Sequence, residues 1–114
     1  MKVIVKPIES KNDLKSFIHL PAEIHKNHSN WVPPIYMDEW ELYDKKKNKS
    51  YQYADAILLL AYRDSKPVGR IMGIINNRYN TINNEQHGRF CFMECYNDKE
   101  VFHALLTSVE DWAR

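Results

Sequence analysis

The fold of this 114-residue chain turns on Ala56-Ile57-Leu58-Leu59-Leu60-Ala61-Tyr62, then Arg63-Asp64-Ser65-Lys66, then Pro67-Val68-Gly69-Arg70-Ile71-Met72-Gly73-Ile74-Ile75. The first run has the length of a buried strand. It is far short of the roughly 18 apolar residues that a bilayer-spanning helix needs. The polar tetrapeptide reads as a turn, and Pro67 to Ile75 as a second strand. Together they predict a hairpin with a four-residue connection. Gly69 and Gly73 lie inside the second strand, where glycine marks a bulge or a close packing contact rather than a phosphate loop.

Upstream, Val3-Ile4-Val5 predicts a first strand. Met1 to Lys6 alternates and then meets Pro7, which is not a signal-peptide pattern. Ser10 or Asn12 caps a helix carrying Leu14, Phe17 and Ile18, with Asp13 three residues after Ser10. Pro21 either ends that turn or occupies the first turn of a continuing helix, Ala22 to Asn27, with Ile24 as its apolar contact. Asn30-Trp31-Val32-Pro33-Pro34 predicts a rigid extended link, because proline fixes its own φ and biases the residue before it. Tyr36, Met37, Trp40 and Tyr43 then fall at helical spacing. Lys45 to Tyr53 has no period and reads as an exposed, mobile loop.

Downstream, Asn76 to His87 reads as an asparagine-rich polar loop. Gly88 to Cys95 reads as a further strand, with Phe90 and Phe92 facing one way and Cys91, Met93 and Cys95 the other. Apolar residues on both faces predict a central strand covered on each side. Asn97 to Arg114 predicts an amphipathic helix with Val101, Ala104, Leu105, Ser108, Val109 and Trp112 on one face. Asn97 or Asp98 caps its start, and Glu100 lies at capping-box spacing from Asn97. No Gly, Asn or Pro closes its end. A helix with a built start and no built stop is the pattern expected of the N-terminal part of a longer protein.

Composition narrows the function classes. The chain is 44% hydrophobic and 27% charged, as expected of one globular domain over residues 1–114. A net charge of +1 argues against a non-specific nucleic-acid or membrane-surface binder, and Lys45-Lys46-Lys47 with Lys49 is the one dense basic run. Cys91 and Cys95, four apart in a strand, are predicted on one face about 13 Å apart. That separation is too long for a disulfide, so they read as reduced thiols of a cytoplasmic protein. No Walker loop, nucleotide fingerprint, nucleophile elbow or metal-ligand spacing is present.

The order strand, helix, helix, three strands, helix resembles the first half of the GNAT-type N-acyltransferase superfamily. Leu59 to Ile71 is similar to that family's hairpin, in which a strand ending in Ala is followed by a turn and a Pro-Val-Gly strand. Asn30 to Pro34, and the strand that leads into the capped last helix, are similar to a group of bacterial GNAT-like proteins of unassigned substrate. The resemblance implies an α/β (α+β) fold: a mixed, mostly antiparallel sheet with helices on both faces. It implies acyl transfer to an amine of a small-molecule substrate, with acyl-CoA as co-substrate rather than a tightly held cofactor. By position alone, Met93, Cys95, Tyr96, Asn97 and Asp98 would border the cofactor, and the pyrophosphate would sit on amides at the last helix's start.

The family's loop there reads Arg or Gln, two residues, Gly, one residue, then Gly or Ala. Glu94 to Glu100 holds no glycine and three carboxylates, so the loop is degenerate. Asp98 or Asn97 competes with a phosphate for the same donors. The resemblance also implies further strands after the last helix, carrying the other cleft wall and the family's usual tyrosine acid, so the 114 residues alone are expected to be inactive. The alternative reading is a non-catalytic GNAT-like module that binds a ligand or protein through the aromatic helix and loops. A third is a purely structural fragment.

Glu94, near the end of the fourth strand, is the candidate general base. Its bland alternative is a strand-end carboxylate paired with Arg70 or Arg89. His19, His25 and His28 have surface or capping roles, with no residues at spacing to complete a metal site. His87 and His103 are isolated. The aromatic segment from Trp31 to Tyr53 reads mainly as packing, with Tyr51 and Tyr53 as candidate substrate contacts. Without the strands expected after the last helix, the fourth strand loses its partner and exposes an apolar edge, which predicts a homodimer through that edge or the last helix.

Overall fold

The computed structural model describes residues 3–27, 36–44, 48, 54–83 and 88–113. Among these the elements run β1 (Ile4–Pro7), α1 (Lys11–Ile24), α2 (Tyr36–Tyr43), β2 (Ala54–Arg63), β3 (Lys66–Asn76), α3 (Asn77–Asn83), β4 (Arg89–Cys95) and α4 (Lys99–Ala113). The strands form one antiparallel sheet in the order β1-β2-β3-β4. The expected architecture, helices on both faces of an antiparallel sheet, is the observed one.

The hairpin connection is shorter than its polar stretch predicts. Asp64 and Ser65 both take positive φ, 55° and 64°, and Arg63 already pairs with Lys66. Two left-handed residues match the right-handed twist of the flanking strands, so a two-residue turn suffices. Alternation along the hairpin builds two cores. Leu60 and Met72 join Phe17, Ile18, Leu20 and Tyr43 on the α1/α2 face. Leu59, Ala61 and Ile71 join Val101, Leu105 and Val109 on the α4 face. Gly69 and Gly73 serve close packing, as expected of one of their two readings. A Cβ at Gly69 would lie 2.8 Å from Val101 and 2.9 Å from Leu105, and one at Gly73 would lie 3.0 Å from the Trp112 ring.

Ser10 caps α1, accepting from the Asp13 amide at 3.1 Å, while Asp13 accepts from the Glu9 amide at 3.1 Å. Pro21 neither ends this helix nor starts a new one, because α1 runs through it to Ile24. A proline there has no N–H for the carbonyl of Phe17, four residues back. That carbonyl accepts instead from Arg70 Nη1 at 2.8 Å, a buried hydrogen bond from β3. The Arg70 guanidinium also lies 4.9 Å from the centroid of the Phe17 ring.

Three further expectations are corrected. Asn77–Asn83 is a short helix rather than loop, tied to β2 where Asn77 Nδ2 donates to Asp55 Oδ2 at 3.1 Å. β4 is an edge strand of the described sheet rather than a central one. It also does not alternate simply: Met72 pairs with Cys91 and Arg70 with Glu94, so Phe92 and Met93 together oppose Ile71. Phe92 carries this bulge at φ 53°. The bulge inverts the strand's phase, so Phe90 and Phe92 do not share a face. Cys91 packs on the α1/α2 core and Met93 and Cys95 on the α4 core, so the two thiols point to opposite faces. Both cysteines are free.

Candidate functional site

Glu94 belongs to the α1 face because the bulge lies two residues before it. Its partner is neither Arg70 nor Arg89 but His25, whose Nε2 lies 3.0 Å from Glu94 Oε2. His25 is the C-cap residue of α1, its amide donating to Pro21 O at 2.9 Å. The capping role expected of the histidines is therefore its backbone's, and its ring has a second one. The two side chains are 23% and 33% exposed, sheltered yet reachable from solvent. Arg70, the ladder partner of Glu94, is 4% exposed. His19 instead stacks on Tyr36 at 4.3 Å between centroids.

The other predicted residues separate into two groups. Met93 and Cys95 turn away from Glu94 into the α4 core. Burial raises the pKa of both thiols; at Cys95 the Asp98 and Glu94 charges add to this, whereas at Cys91 the Arg70 charge opposes it. Neither is therefore poised as a thiolate. Tyr96 continues the ladder, its amide donating to Val68 O at 3.2 Å. Asp98, rather than Asn97, caps α4: its Oδ1 accepts from the amides of Glu100 at 3.0 Å and Val101 at 3.4 Å. Its Oδ2 accepts from Arg63 Nη2 at 2.9 Å, and Arg63 also reaches Glu100 at 3.3 Å. Desolvation works against the Arg63 charge, but the two carboxylates outweigh it and its pKa rises. The start of α4 thus already holds a carboxylate with its own cation. Tyr51 and Tyr53, together with Asn30–Pro34, His28, His87 and the Lys45–Lys47 run, lie outside the described residues.

Sequence reasoning missed His25 as a partner of Glu94 because the two are 69 positions apart and no local pattern links them. It missed Arg63 for a related reason, since a turn-end arginine reads as solvated until the α4 start is brought beside it.

The sheet face that carries Glu94 also holds cavities, two of which adjoin. One of about 500 Å³ lies between the β1–α1 connection, α2 and β2, with Leu14, Trp40, Tyr43 and Leu58 as its apolar wall and Glu9, Lys11 and Asp44 on its polar side. A second of about 150 Å³ lies beside the bulge, between Leu42, Met72, Ile74 and Phe92. Ala56 lines both, so they adjoin. Among the described residues no group of three or more His, Cys, Asp or Glu gathers to hold a metal ion, and no helix is long and apolar enough to cross a membrane.

Comparison with known proteins fixes the fold. The crystal structure of the PaiA N-acetyltransferase from Thermoplasma acidophilum in complex with coenzyme A matches 99% of this chain and 72% of its own, with TM-score 0.59 and 20% identity. The chain has the GNAT-type fold. Two curated proteins are similar in sequence. One is the bacterial ceramide synthase of Caulobacter vibrioides, 32% identical over 96% of this chain. The other is Protein YghO of Escherichia coli, 30% identical over 97% of it. The chain spans 29% and 28% of their respective lengths. No family model matches the chain.

Proposed function

We propose that this chain is part of a longer N-acyltransferase that moves an acyl group from an acyl-CoA thioester to an amine attached to an apolar chain. The observation that carries the reading is Glu94: a half-sheltered carboxylate, turned by the bulge onto the face that also holds the two cavities. A carboxylate there serves as the base that frees the amine's lone pair. The cavities, walled by Leu14, Trp40, Tyr43 and Phe92, suit an aliphatic substituent. The likeness to an N-acetyltransferase solved with coenzyme A supports the donor, and the likeness to a ceramide synthase supports a long-chain amine as acceptor.

The second reading is a GNAT-like module without catalysis, and the start of α4 favours it. Asp98 occupies the Glu100 and Val101 amides that an incoming pyrophosphate would use. The two readings separate in one experiment. The whole gene product and the 114-residue chain are each given acetyl-CoA or a long-chain acyl-CoA, with and without a long-chain amine, and free thiol is followed with a chromogenic reagent. Amine-dependent thiol release by the whole protein, and none by the 114 residues, is expected. No release by the whole protein with either donor overturns the transferase reading and leaves the binding module.

A further inference from the structure

We infer that His25 is the positioning residue for Glu94, so that the two act as one proton-sharing pair; this rests on the transferase reading above. Three separate features converge on it. The bulge at Phe92 puts Glu94 on the α1 face, whereas an unbroken alternation would put it in the α4 core. The hydrogen bond from Arg70 to the Phe17 carbonyl fastens the last turns of α1 over β3, next to β4. The C-cap at His25, its amide on Pro21 O, then fixes where the imidazole leaves the helix. The result is Nε2 at 3.0 Å from Oε2, a contact between α1 and a strand 69 positions away.

The geometry divides the carboxylate's labour. Oε2 is held by His25, while Oε1 accepts no hydrogen bond among the described residues. An ammonium substrate gives a proton to Oε1. The amine's lone pair then forms the C–N bond at the thioester carbonyl, the C–S bond breaks, and the departing thiolate takes the second amine proton. His25 donates from Nε2 to Oε2 and holds the carboxylate in one rotamer during this step. Because one hydrogen bond joins the two groups, the acid limb of activity reports the pair rather than Glu94 alone. The other titratable and charged groups around it are Arg70 on β3, Cys91 and Cys95 on β4, Tyr96 just after it, and the Glu23–Lys26 ion pair at the end of α1.

The test uses the whole gene product and its amine-dependent CoA release as a function of pH. Glu94→Gln should lower kcat by about 10²-fold or more, the range for losing a general base. His25→Gln keeps a donor that does not titrate. It should retain kcat within a few-fold and displace the acid limb of kcat/KM relative to the unmodified protein, because the carboxylate's hydrogen-bonded neighbour no longer titrates. His25→Ala should lower kcat by about tenfold with KM for acyl-CoA unchanged. A contact that merely ties α1 to β4 would change the melting temperature of these variants and leave the acid limb in place. An active wild type whose His25 variants keep both kcat and acid limb overturns this inference alone. An active wild type with a fully active Glu94→Gln overturns Glu94 as base, and this inference with it. A wild type with no amine-dependent release overturns the transferase reading itself.

Discussion

Pro21 is the residue whose chemistry reaches furthest. It sits inside α1, where it removes one helical donor, and a buried arginine from β3 supplies the replacement. Arg70 is 4% exposed and its Nε has no partner among the described residues, so its burial is unfavourable unless the Phe17 carbonyl and ring compensate. The two residues should therefore be energetically coupled. Arg70→Met leaves the Phe17 carbonyl unsatisfied and should cost about 1–3 kcal/mol, the range for a stranded buried acceptor. In a Pro21→Ala background the new amide at position 21 can reach that carbonyl, and the same substitution should cost about 1 kcal/mol less. A double-mutant cycle by denaturant unfolding reads the difference directly. Equal costs in both backgrounds would mean that Arg70 does not stand in for the missing amide. The proline was visible in the sequence, but the arginine that answers it was not, because the two meet only when α1 folds onto β3.

At the scale of elements, the contact of α4 with β3 depends on what is missing from β3. Val101 and Leu105 are fully buried, and both would meet a Cβ at Gly69 at under 3 Å. Neither can retreat without displacing the α4 core, so Gly69→Ala should cost about 1–3 kcal/mol, the usual cost of overpacking. For a domain of this size that is a fall of roughly 5–15 °C in Tm. Gly88→Ala is the control: Gly88 is exposed, and only Ala113 comes closer than 3.9 Å, at 3.1 Å. Thermal unfolding followed by circular dichroism should separate the two, and equal melting temperatures would show that α4 adjusts freely over the sheet. The hairpin and the buried stripe of α4 were legible because their signals are local: two apolar runs on either side of a polar turn in Ala56–Ile75, and Val101, Leu105 and Val109 at four-residue steps. The bulge was not, since nothing in Arg89-Phe90-Cys91-Phe92-Met93-Glu94 announces a phenylalanine at φ 53°. A bulky residue in that region is strained, and tertiary packing has to hold it there. Phe92 meets Tyr43 edge to face at 5.8 Å, and that contact is part of what holds it. α3 was hidden for a different reason, as asparagine is a poor helix former and gives no periodic signal. The candidate site inherits these limits: Glu94 was legible as a strand-end carboxylate, but its face depended on the bulge and its partner on α1.

At the scale of the whole molecule, the two edges of the sheet are unequal. β1 is four residues long and carries Lys6 and Pro7, features that discourage further pairing. β4 is seven residues long, has β3 as its one neighbour in the described sheet, and leaves Phe90 54% and Phe92 41% exposed. Its bulge interrupts a ladder in the middle, yet Met93 to Cys95 and the residues before Phe92 still offer backbone groups to a second strand. A two-fold axis through β4 would set one copy's edge against the other's and bury the same phenylalanines on both sides, a self-complementary contact. Light scattering of this chain at high micromolar concentration should therefore give twice the 13.6 kDa of one copy. Phe90→Lys places a charge on that edge and should return the monomer mass, with the monomer still folded because the side chain is half in solvent there. A clean monomer for the unmodified chain would remove the dimer altogether. A dimer that survives Phe90→Lys would move the interface away from β4, to the outer face of α4, where Phe102 is the exposed apolar residue.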